Sequence, residues 1–320
     1  MGISCYTVFG AYRLIQKEVS ILMKINMKID LVSKIFRYII NTLFWGCMIV
    51  ALFVVIQIFF FSSFRIPSNS MEPGLIAGDN VLVNKLIPGA RLFNVFASMR
   101  GEQVKIVRLP GIRKIKRNDV IVFNYPYPNN LDKIEMHIMK YYIKRCLGLP
   151  GDSLSIINGY YRISGVSGPL GNIEGQELFS VQSNKMLKDA NLYWSFPKDS
   201  LISWNVKNLG PLYIPKKGDV IEMTRQNAII YRKLIEWETG KELSIENSKN
   251  ILLNNSQITS YRFLKNYYFV AGDRIEDSQD SRYWGLLPDE FITGKAVLIW
   301  KSMDSQTKEI QWNRIFRRID

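Results

Sequence analysis

HIMKYYIKRCLGLPGD, residues His137–Asp152, decides how the chemistry-bearing part of this chain is built. Read as a strand, it places Tyr142, Lys144 and Cys146 on one face, because successive side chains alternate. Arg145 points the other way. Lys144 then sits between an aromatic ring and a small thiol, with no carboxylate adjacent in sequence. Burial of that kind disfavours the ammonium form. A fall of three units from about 10.4 corresponds to roughly 4 kcal/mol of preference for the neutral amine. The ordinary fate of a sheet lysine is half-exposure to solvent. Two neighbours compete with Lys144 for attention. Lys140 shares its face, and His137, the only histidine of the chain, falls on the opposite one.

A neutral amine matters if a hydroxyl nearby needs a base, because serine ionises poorly by itself. The matching segment is FRIPSNSMEP, Phe64–Pro73, with Ser68 and Ser70 two apart. It begins where an uncharged run ends. From Ile39 to Phe64 no charged residue occurs, and Arg37 and Arg65 bracket the run. That exceeds the roughly 20 apolar residues a spanning helix needs. A cleaved secretory leader has a shorter apolar region and small residues at its end, whereas Phe59, Phe60 and Phe61 stand here. Residues 1–37 hold six basic side chains against two acidic ones, a net +4. The positive-inside rule places that end in the cytoplasm and the long remainder outside. Met23 and Met27 are alternative starts.

The chain has 320 residues and a net charge of +14. No basic stripe with interleaved aromatics appears, so nucleic acid is not the expected partner. Anionic lipid headgroups are. Only Cys146 of the three cysteines follows the apolar run, and one histidine leaves no Cys/His ligand pattern. No metal and no cofactor are expected. After the run the sequence reads mainly as β. DNVLVNKL, DVIVFNYP, GDSLSII, DVIEMTR, NAIIYRKL, KNYYFVAGD and KAVLIW are short β-branched or aromatic runs bounded by turn residues. Helices of any length are not expected there. NVFASMRGEQ, residues 94–103, reads as a buried corner rather than an apolar loop at the membrane.

Three segments in order, FRIPSNSMEP, YYIKRCLGLPGD and GDRIEDSQDSRYWGLLPDEF, resemble the bacterial type I signal peptidases, membrane-bound Ser/Lys endopeptidases. RNDVIVFNYP, Arg117–Pro126, resembles a further segment of that family. The resemblance implies a transmembrane helix followed by a β-rich Ser/Lys peptidase fold with an inserted smaller β lobe. The implied division is a cytoplasmic segment 1–37, a helix 38–64, a catalytic core 65–151 and 267–320, and an insertion 152–266. It implies cleavage of signal peptides from exported preproteins after small residues, close to the secretion translocon. Ser70 would be the nucleophile, Lys144 the base and Ser68 an oxyanion donor beside the Ser70 N–H. Two residues apart on an extended chain, the serines would point the same way. Ser278 matches the serine that holds the lysine amine, and Asp280 and Arg282 match a bracing ion pair. Asp273 matches a motif aspartate, read as a turn residue. Phe64, Ile66, Pro67, Val81, Tyr142 and Ile143 match the walls of the substrate pockets. The chain departs from the family at residues 274–277, at Gly74 and at Tyr141. A non-catalytic, membrane-anchored β protein that binds exported chains is the alternative.

Overall fold

The computed structural model describes residues 4–100, 102, 104–246 and 250–319, without the side chains of residues 4–16 and Ile25. The side chains of Cys5 and Arg13, and the whole of Gly101 and Gln103, lie outside the described residues. The chain divides into two compact units, the first ending at Gln57 and the second beginning at Ile58.

Helix α1 (Ser4–Phe59) runs 56 residues, and its segment from Lys17 to Phe59 is long and apolar enough to cross a membrane. The helix expected to run to residue 64 ends at Phe59, because Phe61–Arg65 form β1 instead, hydrogen-bonded antiparallel to β2 (Asp79–Asn84). An excursion follows through β3 (Arg91–Leu92), α2 (Val95–Met99) and β4 (Val107–Arg108). Strands β5 (Val120–Asn124) and β6 (Tyr141–Gly148) come next. Residues 152–266 then carry β7 (Ser153–Ile157), β8 (Tyr160–Ile163), α3 (Ile173–Ser180), α4 (Asn184–Asp189), β9 (Leu209–Tyr213), β10 (Val220–Glu222), α5 (Arg225–Thr239), β11 (Leu243–Ile245), β12 (Ile251–Leu253), β13 (Ser256–Gln257) and β14 (Ser260–Arg262). The chain closes with β15 (Tyr267–Ala271), a 3₁₀ turn at Ile275–Asp277, α6 (Ser281–Trp284), β16 (Leu287–Pro288) and β17 (Ile292–Ser302).

The main sheet has the order β1-β2-β17-β5-β6-β15-β16, with every neighbouring pair antiparallel. Strand β5 is buried at all five positions. Val120 and Val122 enter one core cluster with Val81, Val83 and Ile143, while Ile121 and Phe123 enter the other. A strand covered on both faces reads as an unbroken apolar run, and VIVF does. Strand β6 holds the alternation expected of it. Ile143 pairs with Val122 and Lys144 with Ile121, so Lys144 lies on the face of a fully buried strand.

Two expectations fail here. NAIIYRKL is not a strand but part of the 15-residue helix α5. Its buried Ala228, Tyr231, Leu234 and Ile235 recur at helical spacing, Thr224 caps its start, and Gly240 ends it at φ 66°. Eight residues were too short a window to separate the two periods. The region expected as a β lobe without helices carries α3 and α4 as well as α5 beside its strands. Within the buried corner expected at residues 94–103, Val95–Met99 form helix α2, with Phe96 75% and Met99 67% exposed.

Candidate active site

Ser70 and Lys144 come from segments 74 residues apart and meet with Lys144 Nζ 2.6 Å from Ser70 Oγ. Both are buried. Strand β6 delivers the lysine rigidly from the middle of the sheet. A turn delivers the serine. The backbone is extended to Arg65 and then bends at Ser68 and Asn69 before a turn opens at Ser70. This corrects the expected extended geometry. The two hydroxyls do converge, Ser68 Oγ lying 3.4 Å from Ser70 Oγ, but the bend brings them together. Asn69, which pattern reading passed over, holds that bend. Its carbonyl accepts the Glu72 N–H at 2.9 Å and its Oδ1 accepts the Ala77 N–H at 2.8 Å.

The electrostatics follow from burial. Desolvation is the largest influence on Lys144 and lowers its amine from 10.5 to about 8. Asp280, Asp273 and Asp277 pull it up, and Arg282 pushes it down. The Nζ lies 5.8 Å from the centre of the Tyr142 ring, as the shared face predicts.

Ser278 sits with its Oγ donating to Asp280 Oδ2 at 2.7 Å. With its proton directed there, the oxygen presents only lone pairs to other neighbours. Asp280 and Arg282 form a fully buried, two-pronged pair, Nε to Oδ1 and Nη2 to Oδ2 both at 2.8 Å. Burial alone would raise the Asp280 carboxyl. The Arg282 charge and the bonds from Arg282, the Gly272 N–H and Ser278 outweigh it and hold the carboxyl below the usual range. Gly272 is required where it stands. A Cβ there would lie 2.2 Å from Ser278 Oγ and 2.5 Å from the Ser70 carbonyl oxygen.

Asp273 is more than a turn residue. Its carboxylate accepts Arg145 Nε and Nη2, both at 2.7 Å, so the arginine on the far face of β6 grips the loop that carries Ser278. Gly74 leaves room for that carboxylate, Oδ2 lying 3.3 Å from where its Cβ would stand. In the altered loop, Arg274 bridges to Glu72 at 2.9 Å, and its N–H donates to the Ser70 carbonyl at 3.2 Å.

A groove of about 360 Å³ opens beside the pair. Phe64, Ile66, Pro67, Tyr142 and Ile143, the residues matched to substrate pockets, line this groove. Val81 does not; it is fully buried beneath, packed in the core with Ile66 and Ile143. Val122, Tyr141, Arg65, Asp277 and Gln279 line the groove without having been anticipated. Tyr141 packs on Phe64 with ring centres 4.7 Å apart. His137 is exposed in the loop before β6. Lys140 also precedes the strand, and its Nζ donates to the Pro128 carbonyl. Neither belongs to the site. No cluster of metal-ligating side chains occurs among the described residues.

A family model described as signal peptidase, peptidase S26, matches residues 39–301. The chain belongs to this family. It is therefore a serine endopeptidase, and the family's activity is signal-peptide removal with a Ser/Lys mechanism. Signal peptidase I of Buchnera aphidicola subsp. Schizaphis graminum is 31% identical, over 81% of this chain and 73% of its own. That of Aquifex aeolicus is 28% identical, over 79% and 83%. That of Pseudomonas aeruginosa is 27% identical, over 78% and 68%. A solved signal peptidase I from Enterococcus faecalis V583 covers 58% of this chain at 19% identity with a TM-score of 0.24, too low to carry a statement about the fold.

Proposed function

We propose that this chain is a membrane-anchored signal peptidase in which Ser70 is the nucleophile and Lys144 the general base. The observation that carries this is the buried 2.6 Å contact between Lys144 Nζ and Ser70 Oγ. The neutral amine takes the Ser70 proton as Oγ attacks the carbonyl carbon of the residue before the cleaved bond. The Ser68 hydroxyl and the Ser70 N–H donate to the oxyanion that forms. As the intermediate collapses, the lysine returns the proton to the leaving amine and an acyl-serine remains. A water, deprotonated by the same lysine, releases it. Ser278 orients the amine, and Asp280 with Arg282 orients Ser278. An apolar groove walled by Phe64, Ile66 and Ile143 favours an extended substrate with small side chains near the cut.

The substrate is a preprotein bearing a signal peptide. Helix α1 crosses the cytoplasmic membrane once with residues 1–37 inside, and the unit beginning at Ile58 works outside, beside anionic lipid and close to the translocon. Residues 152–266 form an insertion between two halves of the core, the first beginning with β1 at Phe61 and ending at residue 151, the second spanning 267–320. The test is to mix the purified protein in detergent with a preprotein and sequence the new N-terminus. A cut after small residues, lost in Ser70→Ala, is expected. Cleavage that persists in Ser70→Ala would remove the assignment.

A further inference from the structure

Asn172 stands at the position before α3 where an asparagine side chain ordinarily accepts a helix N–H, yet it takes no such bond. Its Nδ2 donates instead to the Asp273 carbonyl at 3.1 Å. Gly175 packs on the same carbonyl: a Cβ there would lie 2.7 Å from that oxygen. Phe179 turns its ring toward Arg282, the guanidinium carbon lying 5.7 Å from the ring centre. Arg282 Nη1 has no hydrogen-bond partner among the described residues, and the aromatic faces of Phe179 and Tyr283 add a favourable contact to the charge that Asp280 pairs. Residues 172, 175 and 179 are spaced by three and four, so they share one face of α3. That face meets the loop Gly272–Arg282 at its start, Asp273, and at its end, Arg282. Ser278 and Asp280 lie between.

We propose that α3 clamps this loop, and that Asn172, Gly175 and Phe179 are positioning residues that keep Ser278 and Asp280 registered against Ser70 and Lys144. They touch neither substrate nor reacting atoms. The inserted region, which beyond Asp152 carries none of the segments that resemble the family, thereby serves the chemistry. The inference rests on the assignment of Ser70 and Lys144 as the reacting pair.

A loosened loop admits water to Lys144. The groups facing that amine are the Ser70 hydroxyl and Tyr142 ring, with Asp280, Asp273 and Asp277 raising its pKa and Arg282 lowering it. Burial dominates among these influences, so hydration moves the amine back up. The experiment uses the full chain in detergent with a signal-peptide substrate, and compares Asn172→Asp, Phe179→Leu and Gly175→Ala with Glu174→Ala on the exposed face of α3. Asn172→Asp removes the donor at constant shape while remaining a good helix cap, so α3 itself stays intact. We expect Asn172→Asp and Phe179→Leu to lower kcat about ten- to hundred-fold. KM should stay within about two-fold. The pH profile of kcat/KM should move upward, and Glu174→Ala should match the wild type. Should Gly175→Ala fail to fold, Asn172→Asp decides. Wild-type kcat and pH profile in Asn172→Asp and Phe179→Leu, or a kcat loss that follows melting temperature with an unmoved profile, overturns the clamp. Activity in Ser70→Ala would overturn the reacting pair instead.

Discussion

Lys144 is where stability and chemistry conflict most directly. Its folded pKa of about 8 lies below the unfolded 10.5, a difference worth about 3 kcal/mol. The unfolded chain therefore binds the proton more tightly. The full penalty applies below pH 8, and stability is regained as pH rises from about 8 to 10.5. Lys144→Met should be inactive and, in denaturant titrations at pH 7, more stable by up to about 3 kcal/mol. That advantage should shrink to nothing above pH 10.5, and equal stabilities at pH 7 would contradict it. For the same reason kcat/KM of the wild type should climb with pH through a midpoint at about 8 and level off above it. Lys144→Arg should be dead, because arginine does not deprotonate, while His137→Ala should be fully active. Ser68→Ala tests the second hydroxyl. Losing an oxyanion donor costs about 10² to 10³ in kcat with little change in KM. A normal kcat with a lowered melting temperature would instead make Ser68 a residue of the bend alone.

Elements decide how these residues meet. Strand β6 presents Lys144 to Ser70 on one face and Arg145 to Asp273 on the other, so one strand aligns both the lysine and the loop behind it. The Arg145–Asp273 pair is 15% and 4% exposed, and removing the carboxylate takes two charge-assisted hydrogen bonds from a largely buried guanidinium. Asp273→Ala should therefore cost about 3 kcal/mol of unfolding free energy. A double variant with Arg145→Met should recover part of that loss, and a double-mutant cycle with no coupling would contradict it. The alternation of β6 was legible in YYIKRC because a strand writes its faces into the sequence every second residue. Helix α5 was not, because NAIIYRKL spans barely two turns and its caps, Thr224 and Gly240, lie outside the window.

At the scale of the whole molecule, α1 and the +4 segment before its apolar run predict topology. A reporter enzyme fused after Asp320 should be active only outside the cytoplasm, and cytoplasmic activity would reverse the orientation. The sequence alone was enough for the apolar run and the β character of the main sheet. It also brought forward Ser70, Lys144, Ser278, Asp280 and Arg282 as candidates, because length, alternation and short motifs are local properties. Contacts across the fold were decided only by tertiary structure. The bend at Ser68–Asn69 converged two hydroxyls that an extended chain was expected to align. Asp273, legible only as a turn, found Arg145 across the sheet. Val81 left the groove for the core, and Val122 and Tyr141 took places along its wall. Asn172 and Gly175 met a loop a hundred residues away. Such pairings depend on where the chain returns in space, and nothing within a few residues of Asn172 encodes the position of Asp273.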